Sequence, residues 1–227
     1  MTEHPGPETA ATGRSRELEK YVEGLFAQED PVLREVRSAT VDRGFPVIHV
    51  PPVTGRALQV LVVAAGARRI LEVGTLTGYS AIWMGRALPE DGRMVTLEAD
   101  PAAADVARRF LARAELDERV EVREGRAERL LPEMGPDGNW DVVFLDADKE
   151  GMVGYAHEAA RLLRTGGLLL ADNALWKGRV VPSGQAGMED DPDTRAVLEF
   201  NRTMAADERF VTTILPVGDG ILTAVRR

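Results

Sequence analysis

The chain alternates, and that alternation leaves few folds open to it. Short runs rich in aliphatic and β-branched residues, RRILEV (68–73), RMVTLE (93–98), RVEVRE (119–124), WDVVFLD (140–146) and GGLLLAD (166–172), are separated by helical patterning at Tyr79 to Leu88, Pro101 to Ala114, Ala127 to Met134 and Gly151 to Leu163. Strand and helix in turn at this rhythm predict a mainly parallel sheet covered on both faces. The chain closes with FVTTILPVGDGILTAVRR (210–227), two runs joined by GDG, which is a hairpin signal. Upstream, apolar residues at helical spacing (Leu18, Val22, Leu25; Val32, Val36) predict helices over Ser15 to Gln28 and Pro31 to Arg43, and a third runs from Thr54 to Ala65. The expected fold is α/β: a doubly wound, mainly parallel seven-stranded sheet ending in an antiparallel hairpin, with an N-terminal helical extension. Residues 1–14 read as a disordered tail and 15–227 as one domain, with helices over 15–65 and the sheet core over 66–227.

Composition narrows the class. At 227 residues the chain can bury one sizeable core. No apolar run reaches the roughly 18 to 20 residues a membrane helix needs, and the longest, Ala57 to Ala67, is interrupted by Gln59. The N-terminus lacks a basic and apolar leader pattern, so a soluble, cytoplasmic protein is the default expectation. There is no cysteine, so any metal must be held by oxygen or histidine. A net charge of −9 would repel a phosphate backbone, which makes nucleic acid an unexpected partner. Of 28 basic residues, Lys20, Lys149 and Lys177 alone are lysines.

In a doubly wound sheet ligands sit beyond the carboxyl ends of the strands. The first strand runs into LEVGTLTGYSAI, where Gly74 and Gly78 allow a tight turn and the following helix offers free N–H groups. This is neither G-x-G-x-x-G nor G-x-x-x-x-G-K-[ST], which disfavours pyrophosphate and with it a nicotinamide cofactor. A carboxylate could take the helix N-terminus and the Ser80 hydroxyl. Glu98, closing the second strand, is placed to accept both hydroxyls of a ribose, and Glu72 and Glu98 together suit a ligand with an ammonium and a ribose. S-adenosylmethionine (SAM) has both and no phosphate. The competing reading is a plain glycine turn with Glu98 as a solvated strand end.

The fourth and fifth strands end in Asp146 and in Asp172 and Asn173. Neighbouring strands lie about 4.8 Å apart, so these oxygens can converge. Two carboxylates and an amide carbonyl are hard ligands suited to Mg²⁺, with Mn²⁺ or Ca²⁺ as alternatives. Alternatively Asp172 caps the loop and Asn173 forms an Asx-turn. Lys149 stands beside the carboxylates in a chain that otherwise uses arginine, and lysine can give up a proton, so it is a candidate general base. The alternative is a salt bridge to Asp148 or Glu150. With SAM as donor, these groups point to methyl transfer onto the oxygen of a chelating diol. A metal-free methyltransferase and a non-catalytic SAM-binding protein are the other readings.

EVGTLTGYSA, DADK and ADN.LW.G occur together in an order and spacing that resembles the metal-dependent O-methyltransferases, the family of catechol and caffeoyl-CoA O-methyltransferases, and most of all its small bacterial members. The resemblance covers Thr54 to the end. It implies the Rossmann-like SAM-methyltransferase fold, Asp146, Asp172 and Asn173 as metal ligands, and Lys149 as the catalytic base with Asp146 at the reacting centre. It further implies that Val50, Glu72, Gly74, Ser80, Glu98, Ala127 and Asp146 surround SAM, Val50 through its backbone in the covering segment IHVPPVTG. An aromatic diol as acceptor and a homodimer built with the N-terminal helices are implied in the same way. Ala147 and Asp148 replace the histidine and tryptophan of the animal catechol enzyme, and Ala127 replaces a serine. Acceptor contacts are expected from the N-terminal helices and the Gly-rich loop 174–192, read as mobile, where Trp176 either stacks on the acceptor or anchors the loop. Lys177 and Arg179 read as solvated loop charge. His49 and His157 read as structural or surface residues, and His4 lies in the tail.

Overall fold

The computed structural model describes residues 7–181 and 191–227. Seven strands form one sheet in the order β3-β2-β1-β4-β5-β7-β6. They are β1 (Arg69–Val73), β2 (Arg93–Glu98), β3 (Val120–Glu124), β4 (Trp140–Leu145), β5 (Leu163–Ala171), β6 (Phe210–Leu215) and β7 (Ile221–Arg226). The first five are parallel, and β7 runs antiparallel between β5 and β6. The doubly wound sheet with a closing hairpin is therefore present. Its strand order reverses between β1 and β4, which opens a crevice at their carboxyl ends.

The period of two along the strands divides the core between the two faces. Ile70, Met94, Val142, Phe144 and Leu170 pack with Leu58, Val62, Ile82 and Trp83 on one side. Leu71, Val73, Val143, Leu145 and Leu169 pack with Tyr155, Ala159, Phe200 and Met204 on the other. The covering helices are α1 (Pro7–Phe26), α2 (Pro31–Asp42), α3 (Pro52–Ala64), α4 (Tyr79–Gly85), α5 (Pro101–Arg113), α6 (Ala127–Leu130), α7 (Met152–Leu162) and α8 (Pro192–Ala206). Three of them start at an Asp-Pro pair: the carboxylates of Asp30, Asp100 and Asp191 accept from the backbone N–H of Leu33, Ala102 and Thr194. Proline at the first position loses no helical bond, because its N–H would be unpaired there anyway.

Four boundaries differ from the sequence reading. Helix α1 reaches back to Pro7, into the stretch expected to be disordered, where PETAAT supplies a proline start and helix-favouring alanines. The expected helix 127–134 is one α-turn followed by a 3₁₀ turn at Leu131–Glu133, since Pro132 cannot continue the ladder. Strand β5 begins at Leu163, and its register shifts against β4 between Trp140 and Val142. Helix α8 was not anticipated: Asp191-Pro192 starts it, and Val197, Phe200 and Met204 are its buried face. Residues 1–6 of the expected tail and 182–190 of the expected mobile loop lie outside the described residues. Among the described residues no helix is long and apolar enough to cross a membrane.

The crevice depends on one close approach. Gly74 has φ 97°, and a Cβ there would lie 2.0 Å from the carbonyl oxygen of Asp146. Gly78 has a similar φ of 92°, but its Cβ would meet Ala107 at an ordinary 3.4 Å. Gly74→Ala is therefore expected to cost at least about 2 kcal/mol more than Gly78→Ala in chemical denaturation, the excess being overpacking rather than backbone strain. Equal losses would show that the left-handed backbone, and not the approach to β4, is what requires glycine.

Candidate active site

The ends of β2, β1, β4 and β5 are held level by one hydrogen bond at each step past the strands. Gly74 N donates to Leu97 O at 3.0 Å, Asp146 N to Val73 O at 2.8 Å, and Asp172 N to Leu145 O at 3.1 Å. The chemistry-bearing residues of three strands thus line the rim of one cavity of about 1010 Å³, bounded by Val47–Pro51, Gly74–Leu76, Ser80, Glu98, Gly125–Glu128, Asp146–Glu150, Asp172, Asn173, Trp176 and Asp219. That volume lies at the upper end of the range for small-molecule sites, room for two ligands side by side.

At one end Glu98 holds the glycine turn. Its Oε2 accepts from the N–H of Thr75 (3.2 Å) and Leu76 (2.7 Å), and its Oε1 from Asp100 N (2.9 Å). Leu76 is held at φ 48°, a left-handed conformation that these bonds stabilise. Glu98, Gly74, Ser80, Val50 and Ala127 all line the cavity.

Glu72 does not line it. The carboxyl is fully buried beneath the turn, where Oε1 accepts from Ser80 Oγ at 2.6 Å and Oε2 from Thr96 Oγ1 at 2.5 Å. Alternation along β1 accounts for this: Val73 and Gly74 reach the rim, while Glu72 points into the layer under α4. There it fixes Ser80 from behind the turn. Burial pushes its pKa up to about 8, against the two hydroxyl donors that favour the ionised form.

At the other end Asp146, Lys149, Asp172 and Asn173 meet. Lys149 Nζ donates to Asn173 Oδ1 at 2.8 Å and lies 3.9 Å from Asp146 Oδ1. Asn173, in a left-handed conformation (φ 61°), directs its amide nitrogen to Asp172 Oδ2 (3.2 Å) and Asp219 Oδ2 (3.4 Å). Asp172 is 5% exposed, and its Oδ1 is buried with no hydrogen-bond partner. Burial raises the pKa of both aspartates; the charge of Asp146 raises that of Asp172 further, and Lys149 opposes the shift in each.

Asp148 is engaged elsewhere, accepting from Tyr155 Oη (2.8 Å) and Gly151 N (2.9 Å), so it does not pair with Lys149. Asp172 caps nothing with Oδ1. Trp176 is anchored through Nε1 to Thr194 Oγ1 at 3.0 Å, while its ring lies 5.7 Å from Lys149 Nζ on the cavity wall. Asp219 went unnoticed in the sequence because GDG reads simply as a turn, yet its Oδ1 also accepts from Lys177 N at 2.5 Å. Nothing short of the fold brings residue 219 to residue 173.

The residues fit a divalent cation. A buried carboxylate oxygen without a partner is costly, and two carboxylates beside one lysine leave negative charge that a cation would neutralise. Among the described residues no group of three or more His, Asp or Glu side chains is placed to hold a metal; the third oxygen here is the Asn173 amide. Oxygen donors of this kind favour Mg²⁺, Mn²⁺ or Ca²⁺.

A cavity at the switch point of a doubly wound sheet, bordered by a glycine turn, is the ligand site of the Rossmann-like class. Residues 23–227 match the family described as O-methyltransferase. The chain is 38% identical over 200 residues to a catechol O-methyltransferase of Niastella koreensis, covering 87% of this chain and 89% of that protein. It is 32% identical to caffeoyl-CoA O-methyltransferase 2 of Populus trichocarpa, over 89% of this chain and 84% of that one. The structure of an O-methyltransferase from Bacillus cereus in complex with S-adenosylhomocysteine (SAH) superposes with a TM-score of 0.84 at 36% identity, covering 93% and 97% of the two chains. The chain belongs to the SAM-dependent O-methyltransferase family.

The buried Glu72 makes a prediction for the ligand-free protein. Its carboxyl keeps a proton in the native state that the unfolded chain loses near 4.5, so this contribution is complete below that pH and is lost as pH rises through about 8. Thermal stability is expected to fall from pH 5 to 9, and Glu72→Gln is expected to flatten the fall by on the order of a few kcal/mol. Parallel curves for the two proteins would show that Glu72 is ionised throughout.

Proposed function

We propose that this enzyme methylates one hydroxyl of a vicinal aromatic diol and depends on a divalent cation held by Asp146, Asp172 and Asn173. The observation that carries the reading is the partnerless Asp172 Oδ1 set among Asp146, Asn173 and Lys149, in the same cavity as the glycine turn. The names of the relatives, catechol and caffeoyl-CoA O-methyltransferase, support a diol as acceptor.

The cation, when bound, supplies positive charge that favours ionisation of an adjacent hydroxyl and holds a chelating acceptor in place. SAM supplies a methyl group on a sulfonium. The chain's own residues do the rest. Glu98 and the turn it fixes receive the nucleoside, and Ser80 and the first turn of α4 receive the amino-acid carboxylate. Lys149, with its side chain 10% exposed, is placed to take the acceptor's proton at Nζ. The acceptor oxygen then forms its bond to the methyl carbon as the carbon–sulfur bond breaks, and that electron pair stays on sulfur. Trp176 and Val47–Val50 wall the reaction from water and present apolar surface to an aromatic ring.

One observation favours a second reading. Lys149 already occupies Asn173 Oδ1, so its ammonium could itself balance the carboxylates and leave the reaction metal-free. Methyl transfer to caffeic acid, followed by mass spectrometry with Mg²⁺, with EDTA and with Mg²⁺ restored, separates the two. Turnover is expected to vanish and return, and Lys149→Met to lower kcat by about 100-fold or more while SAH affinity stays within about threefold. Turnover indifferent to EDTA would leave the metal-free reading.

A second copy of the chain is proposed as partner. Leu18, Tyr21, Leu25 and Phe26 on α1 and Val60 and Val63 on α3 are each more than half exposed, an apolar surface that water does not favour. Sedimentation analysis at micromolar concentration is expected to give a dimer, and the double variant Tyr21→Asp, Leu25→Asp a monomer. A monomeric wild type would remove this assembly.

A further inference from the structure

We propose that His49 is a positioning residue for the methyl donor: its ring ties the segment 46–51, one wall of the cavity, to the glycine turn beside it. This goes beyond the reading above and needs neither the cation nor the acceptor.

Segment 46–51 has no regular structure of its own. Val47 and Ile48 are 65% and 68% exposed, although both border the cavity. Its backbone makes a local bond, Ile48 N to Pro46 O, and joins α3 through Gly55 N to Pro51 O. Among the described residues, its sole side-chain hydrogen bonds to other elements are those of His49. Nε2 lies 2.9 Å from Thr40 Oγ1 on α2 and 3.0 Å from Thr77 Oγ1 in the glycine turn. The two hydroxyls are 2.7 Å apart, and both residues are fully buried.

One set of donor and acceptor roles accounts for every proton in this triangle. Thr40 Oγ1 donates to Val36 O at 2.9 Å, so it accepts from its other neighbours. Thr77 Oγ1 then donates to Thr40, and His49 Nε2–H is shared between the two hydroxyls. Each proton is used once, and the ring is neutral with its proton on Nε2. Burial and the nearby Arg37 hold its pKa down, to about 4, against Glu29, so the arrangement persists throughout the physiological range. The ring also lies against Tyr79, centroids 5.3 Å apart, and Tyr79 Oη donates to Glu29 Oε1 at 2.7 Å. Glu29 in turn pairs with Arg37 at 3.3 Å. One imidazole therefore couples the loose wall to α2, to the turn and to the first residue of α4. Without that tie the donor would have to order the segment on binding, which lowers affinity through lost entropy.

Calorimetric titration of the full chain with SAH, without added metal, tests this. A glutamine amide nitrogen reaches the place of Nε2, whereas an asparagine nitrogen stops at that of Nδ1. His49→Ala and His49→Asn are expected to weaken SAH binding by about tenfold or more, and His49→Gln to stay within about threefold of wild type. If the alanine variant does not fold, the Asn and Gln pair decides, with melting curves for both. Equal SAH affinity in those two, or wild-type affinity in a folded His49→Ala, would overturn the proposal.

Discussion

The backbone of Gly74 lies so near the end of β4 that no side chain fits between them, and the site is built around that approach. Strand ends in a twisted parallel sheet ordinarily fan apart. Here the bonds from Gly74 to Leu97, Asp146 to Val73 and Asp172 to Leu145 carry the ladder one residue past each strand. The consequence is positional. The glycine turn and Asp146 are bonded neighbours, so the two ends of the cavity keep one separation. A reaction that needs oxygen, methyl carbon and sulfur in line gains from walls whose spacing is set by backbone rather than by long side chains.

Behind the rim, a layer of hydrogen bonds fixes the turn from within. Glu72 takes the hydroxyls of Ser80 and Thr96, and the hydroxyl of Thr75 stands 2.5 Å from that of Thr96. From outside, Glu98 binds the backbone of Thr75 and Leu76. The turn is thus held on two sides by carboxyl groups in opposite circumstances: Glu98 partly exposed and bonded only to backbone N–H groups, Glu72 sealed and bonded only to hydroxyls. A buried network of this kind rigidifies when all its members are paired. The segment 46–51 is joined to this network through His49 alone among its side chains, so rigidity in this site is uneven.

How much of this could be read from the sequence follows from the range of the interactions. Periodicity is local, so the strands, the parallel sheet and the hairpin were legible, and with them the strand-end positions of Asp146 and Asp172. The Asp-Pro start of α8 is equally local, but it sits at the end of the Gly-rich stretch 174–192, which hides it. Glu72 was misplaced because an acidic residue beside a glycine turn suggests ligand contact, while the face it occupies depends on the α4 packing above it. Asp219, and the meeting of Thr40, His49 and Thr77, join elements far apart in the chain, and no spacing rule foretells them. His49 looked like an ordinary core or surface histidine for that reason.

The distribution of positive charge is the remaining clue to how the site works. Arginine supplies nearly all the basic residues, and most of the ion pairs it forms lie on the outer surface, as Arg108 with Glu124 or Arg161 with Asp137. At the acidic end of the cavity the chain uses lysine instead. An arginine beside Asp146 and Asp172 would neutralise them permanently and fill the space with a planar fork that matches carboxylates two at a time. One lysine leaves the pair under-neutralised, with a buried oxygen unpaired, a condition that a proton or a bound cation would relieve. Binding and folding then draw on the same deficit of positive charge, so if the proposed cation binds there it should also stabilise the fold through linkage.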